Sequence, residues 1–89
     1  MLFMVEWSYT PENRLKVIER FLTTAGGNVD KKVKVIGRWH EIGGNCGVAI
    51  VDTKDSMPLA RFANEWTDLM EMRYASVMED ETVFKLNKL

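Results

Sequence analysis

The stretch KVKVIGRWHEIGGNCGVAIVDT, residues 32–53, decides the fold of this chain. Two runs rich in β-branched and aromatic residues, 32–42 and 46–53, flank Gly43, Gly44 and Asn45. Glycine and asparagine tolerate the backbone angles of tight turns, so two such runs around them predict an antiparallel β-hairpin.

The segment before this hairpin predicts a strand followed by a helix. Residues 2–9 are rich in aromatic and branched side chains, and Thr10 and Pro11 suit the cap and the first position of a helix. The expected buried stripe of that helix consists of Leu15, Ile18, Leu22 and Ala25, with Val17 and Phe21 beside it. Gly26, Gly27 and Asn28 predict its end.

The segment after the hairpin predicts a helix followed by a strand. A second helix is expected from Asp55 or Ser56, with Pro58 in its first turn, and residues 71–78 predict a fourth strand. The expected apolar stripe of this helix comprises Leu59, Phe62, Ala63, Trp66 and Leu69 or Met70. Residues 80–89 predict a tail with a short helix in which Glu81 and Lys85 form a pair.

This order of elements predicts an α+β fold, a ferredoxin-like βαββαβ sandwich. Right-handed crossovers place both helices on one face of a four-stranded antiparallel sheet. At 89 residues the chain has room for one core, so we expect a single domain over residues 1–89.

The strands predict a sheet that is apolar on both faces. Phe3 and Val5 of the first strand point one way while Leu2 and Met4 point the other, and the third and fourth strands repeat this pattern. The two helices cover only one face, and exposed apolar patches of that size usually mark an interface. We expect a homodimer packed sheet against sheet; the alternative cover, less complete, is the tail with its Val83, Phe84 and Leu86.

Composition excludes several functional classes. Lys and Arg number 12 against 13 Asp and Glu, for a net charge of -1, so nucleic acid is not an expected partner. A single cysteine, Cys46, indicates a reducing compartment, and the short apolar run at the start is neither a signal peptide nor a spanning segment. We therefore expect a cytoplasmic protein without membrane association. One histidine and one cysteine predict no metal site, and the glycine pairs lack a phosphate-binding pattern, so no cofactor is expected.

The candidate catalytic residues are His40 and Arg38. Histidine is the residue type whose unperturbed pKa lies nearest neutrality, which makes His40 the natural candidate base. A three-residue hairpin loop would place His40 opposite Val48 and Arg38 on the same side of the sheet. If Glu6 shares that side, the three polar side chains form one pocket under whatever covers the sheet.

Four further residues are candidates for ligand binding: Trp39, Glu6, Trp66 and Asp68. Each has a structural alternative. Trp66 on an apolar helical stripe is typical of a core, and Asp68 is typical of a surface or capping position. His40 on an exposed edge strand, with Arg38 paired to a carboxylate such as Glu41, is the corresponding alternative for the catalytic pair.

Several short motifs resemble a family of small bacterial proteins of unknown function. They are MLFMV at residues 1–5, PENR at 11–14, GRWH at 37–40 and EWTD at 65–68. That family is similar to the dimeric α/β-barrel superfamily of ferredoxin-like proteins, which includes cofactor-independent monooxygenases, stress-responsive proteins and isomerase-like enzymes. The resemblance implies the fold and a dimer and assigns no reaction.

Two functions from different classes remain open on the sequence. The first is a homodimeric domain that binds a small apolar or aromatic ligand, or acts on it as a cofactor-independent enzyme. The second is a structural or regulatory dimer that binds protein and does no chemistry. A dry cavity lined by Arg38 or His40 favours the first, and a filled interface with both residues solvated favours the second.

Overall fold

The computed structural model describes residues 1–88 and has a ferredoxin-like α+β fold, which confirms the predicted class. Its elements are β1 (Leu2–Ser8), a 3-10 turn (Pro11–Asn13), α1 (Arg14–Thr23), β2 (Lys34–His40), β3 (Cys46–Asp52), α2 (Met57–Trp66), β4 (Glu71–Val77) and α3 (Asp80–Leu86). The four strands form one antiparallel sheet in the order β2-β3-β1-β4. The predicted tail helix is α3, and the last residue of the predicted tail, Leu89, lies outside the described residues.

The β2–β3 hairpin has a longer loop than the sequence suggested. The Glu41 amide donates to the Cys46 carbonyl at 3.0 Å and closes a loop of residues 42–45. His40 therefore pairs with Gly47 and Arg38 with Ala49, one residue away from the register that a three-residue loop would give. Since side chains alternate along a strand, this shift moves both residues to the face of the sheet that carries Ala49.

A β-bulge at Ile36 makes this register compatible with the rest of β2. Val35 pairs with Val51, and Gly37 pairs with Ile50, so Ile36 is the extra residue. A bulge of one residue reverses the alternation beyond it. Val35 before the bulge and Arg38 after it consequently lie on the same face, the one that α1 and α2 cover.

Helix α1 turns a different side inward from the predicted stripe. Leu15 and Leu22 are 78% and 72% exposed, whereas Val17 is buried. The physical reason is a polar anchor: Arg14 Nη1 donates to the Gly44 carbonyl at 2.7 Å and to Asn45 at 3.1 Å. An anchor at its first residue helps fix the rotation of α1 with Val17 toward the core.

A second anchor joins α1 to the end of α2. Arg20 donates two hydrogen bonds to the Asp68 carboxylate, at 2.7 and 2.8 Å, and a third to the Glu65 carbonyl at 2.7 Å. The Arg20 guanidinium also lies 5.4 Å from the centre of the Trp66 ring. The two hydrogen bonds from Arg20 to the Asp68 carboxylate lower the pKa of Asp68 below its ordinary value. Asp68 thus fastens two helices together.

The core consists of two small clusters between the sheet and its helices. Their buried members are Val5, Ala49, Val51 and Leu59 in one, and Val17, Trp66 and Met70 in the other. Trp66 of the EWTD motif is 3% exposed and therefore belongs to the core.

The opposite face of the sheet has no helix over it in the described chain. Met4, Val48 and Ile50 lie there, only half-buried. Helix α3 has no buried residue, and its Val83, Phe84 and Leu86 are 41%, 72% and 69% exposed, so these apolar side chains are not buried on that face. We call this surface the helix-free face. Within residues 1–88, no helix combines the length and apolar character needed to cross a bilayer.

Replacing Asp68 with Asn should lower the Tm by a few degrees at neutral pH, because the paired hydrogen bonds to Arg20 lose their charge. The folded-state pKa of Asp68 is depressed, so the ion pair stabilises the fold above the unfolded carboxyl pKa of about 3.9 and stops doing so as pH falls through the folded value. Thermal unfolding at a series of pH values should therefore show the two proteins converging under acid. Glu65→Gln, a neighbouring exposed carboxylate, is the matched control; an equal effect there would contradict a specific role for Asp68.

Candidate functional site

A cavity of about 270 Å³ lies between the helix-facing side of the sheet and helices α1 and α2. Its lining is predominantly apolar and aromatic, with a few polar side chains. From the sheet it includes Val5, Trp7, Ala49, Val51, Met72 and Tyr74; from the helices it includes Val17, Phe21, Leu59, Phe62 and Trp66. An apolar concavity with few polar groups is the usual form of a small-molecule site.

The cavity exists because the central strand β3 presents small side chains to the helices. Gly47, Ala49 and Val51 point toward them, and the Trp7 indole lies so close over Gly47 that a Cβ there would collide with it. Strand β3 therefore contributes little side-chain volume beside the Val5 and Trp7 side chains of the neighbouring β1. The helices cannot close the gap freely, since Arg14 ties α1 to the hairpin loop.

Arg38 is held in the cavity lining by two contacts. Its Nη1 donates to the Gly26 carbonyl at 2.9 Å, and its guanidinium lies 4.7 Å from the centre of the Phe21 ring. Gly26 is buried at φ +94°, and a Cβ added to it would stand 2.8 Å from Arg38 Nη2. The half-buried guanidinium is therefore held by a backbone carbonyl and an aromatic ring.

His40 lies at the rim of the same cavity. Its imidazole packs edge-on against Trp7, with ring centres 5.8 Å apart, and against Phe21, with ring centres 5.2 Å apart. The residue is exposed to solvent on its other side. Phe21 contacts both His40 and Arg38, so these two candidate catalytic residues share one aromatic neighbour and one cavity.

The other predicted site residues lie elsewhere, apart from Trp66. Glu6 pairs across the sheet with Val48 and belongs to the helix-free face, as does Trp39, which is 58% exposed. They border a shallow groove at the end of that face, which His40 also reaches. Arg38 does not line this groove and Glu6 does not line the cavity, so neither of these two sites contains both residues. The expected combination of Arg38, His40 and Glu6 was wrong because it assumed the other hairpin register.

The sequence profile of a domain of unknown function, DUF3303, matches residues 1–88. The chain belongs to this family. No curated protein and no solved structure matches the chain. The DUF3303 description names no activity.

Two residues of this DUF3303 cavity were not predicted. Tyr74 donates a hydrogen bond from its hydroxyl to the Leu59 carbonyl at 2.9 Å, and burial raises its pKa to about 12. It therefore stays protonated over the physiological range. Arg14 lines the opposite part of the cavity wall, near Gly44. The predicted apolar stripe of the first helix did not include Arg14, and only the rotation of α1 would have revealed its position.

Cys46 has a structural environment outside the cavity. Its thiol donates to the Glu41 carboxylate at 2.9 Å, and this hydrogen bond raises the pKa of the thiol. A raised pKa disfavours the thiolate, which is the nucleophilic form. Within residues 1–88, no three His, Cys, Asp or Glu side chains are grouped as metal ligands would be.

Gly26→Ala should destabilise the protein more than Gly43→Ala, by roughly 1 kcal/mol, which is the net value of a typical hydrogen bond. Both glycines have positive φ, so both substitutions strain the backbone. Only at Gly26 does the new methyl group displace the Arg38 guanidinium, since nothing lies within 4 Å of a Cβ at Gly43. Urea unfolding of the two variants measures the difference. Equal losses would show that the contact between Arg38 and Gly26 contributes nothing to stability.

Proposed function

We propose that this DUF3303 protein binds a small, mainly apolar ligand in the cavity between its sheet and helices α1 and α2. The cavity itself carries the proposal, because an apolar concavity with a few polar groups is the usual form of a small-molecule site. Its volume is about 270 Å³, and its lining is mainly apolar and aromatic.

The polar groups of the lining also support ligand binding. Arg38 and His40 both border the cavity, and the aromatic rings of Phe21 and Trp7 lie beside them. A filled interior with both residues fully solvated would favour a protein-interaction role without a ligand. Arg38 is instead half-buried against the cavity. A site that combines an apolar volume with oriented polar groups favours a flat or chain-like molecule that has one polar end.

Filling the cavity tests this proposal. Ala49→Leu adds three carbons to a buried position on the cavity floor, and we expect it to weaken binding of 2-naphthamide, a neutral two-ring probe, by roughly tenfold to a hundredfold at about 0.8 kcal/mol per displaced CH₂. Ligand-observed NMR or calorimetry measures the affinity. Ala60→Leu, an exposed change on α2 outside the lining, is the matched control. If the unaltered protein binds neither this probe nor other apolar molecules of its size, the proposal fails.

We also propose that the protein is a homodimer joined through the helix-free face. Four strands of seven residues make a face of roughly 19 by 23 Å, or about 450 Å² in projection. A stable interface covers about 800 Å² of accessible surface per partner, so the flat projection of the sheet supplies somewhat more than half of that area. Helix α3 follows the edge strand β4 after two residues and adds Phe84 and Leu86, which are 72% and 69% exposed.

A second copy of the chain is the occupant that this face fits best. The protein's own tail leaves it open, and the half-buried Met4, Val48 and Ile50 across its two central strands form an apolar centre. Symmetric packing would bury that centre against an identical one, and dimers of this two-fold type are the commonest oligomers of soluble proteins. A chain of 89 residues gains proportionally more from such burial than a larger domain does.

Ile50→Lys should convert the dimer to a monomer, because it puts a charge at the centre of the apolar contact. Sedimentation velocity over the micromolar range should show the unaltered protein dimerising with concentration and the variant sedimenting as a monomer. Leu15→Lys, on the outer side of α1, is the control and should leave the dimer intact. Dissociation by Leu15→Lys alone would place the interface on the helical side, and a concentration-independent monomer would remove the dimer altogether.

A further inference from the structure

The Arg38 guanidinium borders the apolar cavity without an ionic partner. Within residues 1–88, no carboxylate lies within 4 Å of it, since the ion pairs of the described chain involve the N-terminus, Arg20 and Lys85. A guanidinium has five N–H donors, and the protein takes up one of them through the Gly26 carbonyl. Removing a charge from water without a partner is unfavourable, so this site is better satisfied when an anion is present.

Two acidic residues also line the cavity, and within residues 1–88 neither forms an ion pair with Arg38 or Arg14. Asp30 Oδ1 accepts a hydrogen bond from the Lys32 amide at 2.8 Å, and Glu41 Oε2 accepts one from the Cys46 thiol at 2.9 Å. Arg14 adds a second positive charge to the cavity lining. The lining therefore carries two guanidinium groups that form no ion pair with the described residues.

We propose that the cavity ligand is a small organic acid bound as its anion, with its carboxylate on Arg38 and its apolar part in the cavity. This inference rests on the proposed function and adds the charge of the ligand to it. The guanidinium is already oriented by Gly26 and Phe21, so it loses little freedom when it binds. Its planar donor pattern matches a carboxylate, and hydrogen bonds between two charged groups are among the strongest in proteins.

The size of the cavity limits the apolar part of this acid. A cavity of about 150 Å³ holds one benzene molecule. The volume of about 270 Å³ found here is nearly twice that. A two-ring aromatic acid or an acid with a medium-length chain fits this volume.

The test compares 2-naphthoate with 2-naphthamide, which has nearly the same shape and no charge. At neutral pH we expect the unaltered protein to bind the acid at least about tenfold more tightly, as charge-assisted hydrogen bonds require. Calorimetry or ligand-observed NMR measures both affinities. Arg38→Met, which keeps most of the side-chain length, should abolish this preference and leave the affinity for 2-naphthamide nearly unchanged.

Arg61→Met is the matched control, because Arg61 is exposed on α2 outside the cavity lining and its loss should leave the preference intact. Equal binding of acid and amide by the unaltered protein would overturn the inference about charge while leaving the proposed function standing. Binding of neither compound would count against the proposed function itself. A preference that survives Arg38→Met would overturn the assignment to Arg38.

A measurement on the unaltered protein keeps the inference testable if Arg38→Met does not fold. In ¹⁵N-resolved NMR, 2-naphthoate should shift the Arg38 side-chain Nε–H signal and the Gly26 and Gly27 amide signals more than those of Arg61. Cavity signals that shift with both compounds, while the Arg38 signal stays in place, would contradict the proposed contact.

Discussion

One extra residue in strand β2 determines which side of the sheet carries the polar chemistry. Successive side chains of a strand point to opposite faces, so the bulge at Ile36 reverses the orientation of every residue from Gly37 to the hairpin loop. Without it, a strand that placed Val35 toward the helices would place Trp39 there as well, and Arg38 and His40 would lie on the helix-free face. The bulge thus gives the cavity a guanidinium and an imidazole and leaves an indole on the outside.

The cavity depends equally on how the two helices are held. Arg14 and Arg20 fasten α1 at both ends, the first to the β2–β3 loop and the second to Asp68 beyond the end of α2. These polar contacts hold α1 at the β2–β3 loop and beside the end of α2, while β3 offers the small Gly47 and Ala49 to the helices next to the larger Val5 and Trp7 of β1. Because α1 is held by these contacts and β3 presents only small side chains to it, space remains between the helices and the sheet. The same residues that make the core small therefore provide the room for a ligand.

The element order of this DUF3303 chain could be predicted from local chemistry. Gly43, Gly44 and Asn45 between two β-rich runs indicated the hairpin, and Pro11 indicated the 3-10 turn that leads into the first helix. Each of these signals acts through the backbone angles of a few neighbouring residues. Fold class follows from their order, because few topologies accommodate it.

The geometry of the site depends on contacts between residues that are distant in the sequence. Whether the hairpin loop has three or four residues changes the register by one, and the sequence GGN allows both. The sequence did not reveal the rotation of α1 either. Apolar residues lie on several sides of this helix, from Val17 to Leu15, and the hydrogen bond of Arg14 helps to select which of them faces inward. Asp68 was noticed for its motif, but its role as the partner of Arg20 depends on a neighbour 48 residues away.

The two faces of the sheet separate the two proposed roles. A ligand in the cavity contacts Ala49 and Val51 of β3, whereas a second subunit on the helix-free face contacts Val48 and Ile50 of the same strand. Because these residues alternate, a substitution on one face leaves the side chains of the other in place. The apolar character of β3 on both sides, which in a single chain would be an unfavourable exposure, is thus accounted for residue by residue. In these two proposals, the helices and a ligand would cover one half of the alternation, and a partner chain would cover the other.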